Sequence, residues 1–136
     1  MIVVFVFLSI VFSCNSEQLQ PQEQSQELKE SIKRGALVYE DFCMNCHLPD
    51  GKGTPNIYPP LVDSDYLMKK REESIKAVKY GLAGEITVNG KKYNNAMASL
   101  GLLDDEVADV MNYILNSWGN ADGKIVTVAE VSKIQP

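Results

Sequence analysis

Imidazole is scarce in this chain: its 136 residues include one histidine, His47. Thiols are scarce too, with Cys14, Cys43 and Cys46 the whole set. A structural zinc site needs four Cys or His ligands. Cys43, Cys46 and His47 would leave only the distant Cys14 to complete one, so a zinc reading is disfavoured. Positive charge is the third shortage. Thirteen Lys and Arg stand against eighteen Asp and Glu, a net charge of -5 and a pI near 4.8. That balance argues against nucleic acid, whose binding proteins carry basic surfaces. It says little about protein partners, because local patches steer docking more than the total does. The length allows one domain with a real core and is too short for two.

Where these few residues sit matters more than their number. Cys43-Met44-Asn45-Cys46-His47 is a C-x-x-C-H run, the attachment pattern of a c-type haem. Two thiols one helical turn apart can each add across one porphyrin vinyl group. The imidazole that follows the second thiol is then carried to the iron as proximal ligand. A thiol redox pair would have no use for a fixed His, and would be expected beside a βαβ pattern that the chain lacks. One such motif implies one haem.

Met1 to Phe12 is almost wholly apolar, too short for a comfortable membrane span and suited to a signal-peptide core. No Lys or Arg precedes Lys29, so the usual basic leader is missing. Val11-Phe12-Ser13-Cys14 resembles a lipobox, departing from the pattern at bulky Phe12, and makes Cys14 the expected lipidation site. The alternative is an ordinary cleaved signal or an uncleaved anchor, with Cys14 incidental. Residues 15–26 (NSEQLQPQEQSQ) offer almost nothing apolar to bury, which predicts a flexible polar linker. Twelve such residues reach about 20 Å. Residues 27–136 are then the folded domain, on the periplasmic side of a bacterial membrane and lipid-anchored.

From Glu27 the pattern is helical. Ile32, Gly35, Ala36, Tyr39 and Phe42-Cys43 form one stripe at spacings of three and four. Gly35 in mid-helix costs about 1 kcal/mol relative to Ala, so something is expected to press against it. A second strong helix follows Asp104 as its cap, with Val107, Val110, Met111, Ile114 and Leu115 on its apolar face, Trp118 closing it and Gly119 stopping it. Tyr113 or Trp118 crossing Gly35 would join the two. Ser64 to Lys70 and Glu72 to Tyr80 read as short helices. Ile86-Thr87-Val88, Asn89-Gly90 and Lys91-Lys92-Tyr93 read as a hairpin on a type I′ turn. Thr127-x-x-Glu130 resembles a capping box for a terminal helix strapped over the domain. Lys69, Lys70, Arg71, Lys76 and Lys79 form a basic stretch, read as a solvated helix face before a docking patch.

Taken in order, these motifs resemble the cytochrome c family, in its small single-haem bacterial class I form. The resemblance runs from about Ser31 to Asn120. It rests on Gly35-x-x-x-Tyr39, the C-x-x-C-H run, Asp50-Gly51-x-Gly53, Pro59-Pro60-Leu61 and Gly81-x-x-Gly84. Met97, Leu103-x-Asp105-x-x-Ala108, Tyr113-Ile114 and Asn116-Ser117-Trp118-Gly119-Asn120 continue it. It implies an all-α fold whose N- and C-terminal helices cross, with the short hairpin leading to a methionine ligand. That second iron ligand is expected at Met97, which is fifty residues beyond His47 in a loop-like stretch. Met111 is the runner-up, but its neighbours make it core. Many relatives carry Pro beside this Met, and here Ala98 follows.

The resemblance also implies that the Pro59 carbonyl receives the remaining N–H of His47. Leu61 is expected on the haem face, with Ile57, Leu67, Val78 and Leu100 as walls. The function implied is an electron carrier passing single electrons between respiratory partners, with no catalysis of its own. The alternative is an integral haem subunit of a larger oxidoreductase or terminal oxidase. A third reading, an open iron site for peroxidase or gas-sensing chemistry, finds no distal His or second haem motif to support it.

Overall fold

The computed structural model describes residues 21–136. The signal, the Cys14 lipid site and the first part of the expected linker lie outside the described residues.

Helix α1 spans Pro21–Phe42, so it begins six residues inside the segment expected to be a flexible linker. Proline is well suited to a first helical position, and Gln and Glu are good helix formers, so nothing in residues 21–26 opposes the helix. A one-turn helix, α2 (Met44–His47), follows directly, then α3 (Asp65–Lys69) and α4 (Arg71–Tyr80). Strands β1 (Ile86–Val88) and β2 (Lys91–Tyr93) pair antiparallel, with Ile86 opposite Tyr93 and Val88 opposite Lys91. Asn89 and Gly90 both have positive φ, 50° and 76°, as a type I′ turn requires. Helices α5 (Asp104–Leu115) and α6 (Val128–Lys133) complete the chain. The architecture is mostly helical with one small two-stranded sheet. Among the described residues, no helix is long and apolar enough to cross a membrane.

The crossing of α1 over α5 organises the core. A methyl group at Gly35 would collide with the Asp109 carbonyl and come within 2.9 Å of Tyr113 Cβ. The helix backbones therefore touch where a glycine permits it. Trp118 lies elsewhere, against Gly51, where it would meet a Cβ at 2.5 Å, and its indole N–H donates to the Pro49 carbonyl at 2.9 Å. Tyr39, Tyr113 and Trp118 form a three-ring cluster with centroids 5.1 to 5.5 Å apart. Val107, Val110, Met111, Ile114 and Leu115 are buried below it. Met111 is fully enclosed, as a core residue is.

Polar groups at the crossing satisfy one another. Asp109 accepts from Ser31 Oγ at 2.6 Å and from Arg34 at 2.6 and 2.8 Å. Asn112, with none of its surface exposed, donates to Ser31 Oγ and to the Val126 carbonyl, and accepts from Val126 N–H. That last pair ties the C-terminal segment onto α5.

Two helix ends differ from expectation. Asp104 is the first residue of α5, and Leu103 precedes it as the cap, its N–H received by the Glu106 carboxylate at 2.8 Å. Asp104 is freed to pair with Lys79 at 2.9 Å. The helix also ends at Leu115, before Gly119. At α6, Thr127 Oγ1 accepts from Glu130 N–H, but the Glu130 carboxylate turns to Arg71 at 2.7 and 3.0 Å. Half of a capping box forms, because an ion pair with a forked guanidinium competes for its acid. Arg71 also pairs with Asp122 at 2.8 Å. Of the basic stretch, Arg71 and Lys79 are thus neutralised within the fold.

Candidate cofactor site

The site is built where α1 runs out. Cys43 N–H still bonds back to Tyr39, and the N–H groups of Cys46 and His47 both turn onto the Cys43 carbonyl at 3.1 and 2.9 Å. One tight turn therefore carries both thiols and the imidazole. His47 is buried, 9% exposed, and its Nδ1–H donates to the Pro59 carbonyl at 3.1 Å. That bond fixes the ring and leaves Nε2 as the nitrogen able to bind a metal. Glycine makes the approach possible: a Cβ at Gly53 would sit 2.6 Å from the Pro59 oxygen. Gly53 N–H in turn holds the His47 carbonyl at 3.0 Å, and Leu61 N–H holds Gly51 at 2.7 Å. Burial lowers the pKa of His47 against a smaller opposing effect of the Pro59 hydrogen bond, which favours the neutral ring. Burial also pushes the Cys43 thiol up to about 11.

Met97 is brought to the same place by a separate route. It forms an isolated bridge with Leu82, each N–H donating to the other's carbonyl at 2.8 Å. Two adjoining cavities, of about 80 and 310 Å³, share Cys43, His47, Pro59, Leu82, Ile86 and Met97 in their walls. Leu61, Leu67 and Val78 line the inner one, and Cys46, Ile57 and Leu100 the outer one. Every described residue singled out from the sequence for this site therefore borders the same hollow. Tyr93, Leu82 and Ser74 border it as well and were not anticipated. Ser74 lies one helical turn before Val78 on α4, a spacing that signals a shared face.

The donor set suits a flat apolar group that brings most of its own metal ligands. Among the described residues no cluster of three His, Cys, Asp or Glu exists that would cage an ion unaided. What is present is one neutral imidazole and one thioether at an apolar hollow, with two free thiols at its rim. Ser74 Oγ is buried there without a hydrogen-bond partner. An orphaned buried hydroxyl marks a place where a further polar group belongs.

A helical domain with this pocket is a haem-binding electron-transfer domain, and the relatives of the sequence agree. The profile of the family Cytochrome c matches residues 32–118. Cytochrome c-552 of Thermus thermophilus is 40% identical over 110 residues, spanning 74% of this chain and 83% of that protein. The cytochrome c subunit of the quinone-dependent alcohol dehydrogenase of Gluconacetobacter polyoxogenes is 31% identical over 105 residues, but only 22% of that subunit is matched. The fructose dehydrogenase cytochrome subunit of Gluconobacter japonicus is 30% identical over 97 residues, and 20% of it is matched. The chain belongs to the cytochrome c family, carries covalently bound haem c and transfers electrons.

Proposed function

We propose that this protein is a single-haem carrier on the periplasmic side of a bacterial membrane, passing single electrons between respiratory partners. Cys43 and Cys46 would hold the haem covalently through their sulfurs, and His47 and Met97 would be the residues that bind its iron. The observation that carries the reading is that His47, with its other nitrogen engaged by Pro59, shares its cavity walls with Met97. The haem supplies a one-electron iron couple, and a thioether ligand raises its potential relative to harder donors. With two protein residues on the iron no position would remain for a substrate, which supports electron transfer without catalysis by this chain itself. The Cys14 thiol is the proposed lipid attachment point, supported by the apolar run and Ser13 before it.

Coverage supports a free carrier over the alternative of an integral subunit. The cytochrome c-552 relative is matched over most of its length, whereas the dehydrogenase subunits are matched over about a fifth of theirs.

The optical spectrum of the purified holoprotein tests the ligands. A low-spin spectrum with the weak far-red sulfur-to-iron band, unmoved by carbon monoxide when reduced, is expected. Met97→Ala should remove that band and admit carbon monoxide. A high-spin, carbon-monoxide-binding wild type would sink the Met97 assignment.

A further inference from the structure

The Met97 segment has little of its own to hold it. Among the described residues, the backbone of residues 94–102 makes two hydrogen bonds to other backbone groups outside regular elements, and both go to Leu82. One side-chain bond adds to them, Ser99 Oγ to the Lys79 carbonyl at 3.2 Å. Gly81, at φ 85°, lets the segment lie so close that a Cβ there would be 2.6 Å from the Met97 oxygen and 2.8 Å from Ser99 N. Whatever fixes residues 79–82 therefore fixes Met97.

Two of those four, Lys79 and Tyr80, are in turn held by the C-terminal segment. Lys79 Nζ donates to the Val131 carbonyl at 2.9 Å, and Tyr80 Oη donates to the Ile134 carbonyl at 2.9 Å. Val131 and Ile134 are themselves buried, which seats the terminal segment firmly. At the far end of α4, Arg71 grips Glu130 on the same segment. Helix α4 is thus tied at its first and last turns to the C-terminal segment, and its last turn passes that restraint to the methionine.

We propose that the C-terminal strap, residues 126–134, sets how firmly Met97 is held on the iron, with Tyr80 and Lys79 as positioning residues. The inference rests on Met97 being the ligand. Loosening the strap opens the Met97 segment locally and exposes one iron position to small neutral ligands such as imidazole, while the rest of the domain stays folded. The strap converts a stability device into a control on whether the iron is closed or open.

The test uses ferric holoprotein in three variants: Tyr80→Phe, a chain ending at Lys133, and Arg34→Gln as a control at the α1–α5 crossing. Imidazole can bind only when the methionine leaves, so its binding rate reads local opening. Guanidinium unfolding followed by circular dichroism reads global stability. Tyr80→Phe should speed imidazole binding about threefold and the shortened chain about tenfold. Arg34→Gln should leave the rate unchanged at a comparable loss of unfolding midpoint. If the shortened chain fails to take up haem, Tyr80→Phe carries the test. Rates that follow global stability equally in all variants would overturn the proposal, as would rates that do not move. A wild type without the sulfur-to-iron band would sink the Met97 assignment and this inference together, whereas a normal band with unmoved rates sinks the strap alone.

Discussion

Where α1 meets α5, glycine brings two backbones into contact, three aromatic rings pack tilted and edge-on beside them, and buried polar groups form closed sets. Ser31, Asp109, Asn112 and Val126 answer one another donor for acceptor. Some residues away, the walls set by α4, the hairpin and the Met97 segment enclose open space, and Ser74 holds a hydroxyl with nothing to bond. One region is complete as polypeptide and the other is completed by its cofactor. A protein interior normally packs as densely as an organic crystal, so the hollow side has a missing partner written into it. The difference teaches where the stability of the holoprotein comes from: side-chain packing at the crossing, and haem burial on the other side.

The largest effect should come from removing that cofactor. Replacing both thiols, Cys43→Ser with Cys46→Ser, should collapse amide protection in β1, β2 and residues 94–103, while slower-exchanging amides persist in α1 and α5. Hydrogen exchange measures both regions in one sample, and equal loss throughout would break the contrast. Next in size is Gly35→Ala, whose methyl has no space at the crossing. About 3 kcal/mol of destabilisation is expected in guanidinium unfolding, as for overpacking of a close contact. The haem spectrum should be unchanged, and a shifted far-red band would show that the two regions are not independent.

The smallest effect sharpens the boundary between the regions. Arg71 holds the Glu130 carboxyl below its ordinary value of 4.5, so the unfolded chain binds the proton more readily. The stabilisation is therefore present above about pH 4.5 and is lost as pH falls through the lowered folded value. Glu130→Gln should cost about 1 kcal/mol near neutral pH, since the pair is partly exposed. The difference from wild type should vanish in acid, and a difference independent of pH would mean packing, not charge, holds α6.

Local pattern explains most of what could be read in advance. The C-x-x-C-H run, the hairpin with its Asn-Gly turn and the glycine crossing each depend on residues close in sequence or on one helical period. Leu67 and Val78 were readable as walls only through the family resemblance. What escaped was non-local. Nothing near Glu130 announces that its carboxylate will leave Thr127 for Arg71, 59 residues back. Asp109 and Asn112 lie off the apolar stripe of α5, so spacing alone assigns them to a polar face, yet both are buried and their partners are on α1 and in the C-terminal segment. The start of α1 is hidden differently: a polar Gln/Glu tract reads as linker because it has little to bury, although Gln and Glu also favour helix. Ser74 was passed over since a lone serine in a helix carries no signal until its surroundings are known.

The crossing at Gly35 also imposes an order on biosynthesis. Chains are made N-terminus first, so α1 and the two thiols exist well before α5, about sixty residues later, is available to cover them. In the finished fold Cys43 is buried and its thiol resists ionisation, a poor state for forming a bond. Haem is therefore joined most readily before the fold closes, and the docking of the last helices shuts the door behind it.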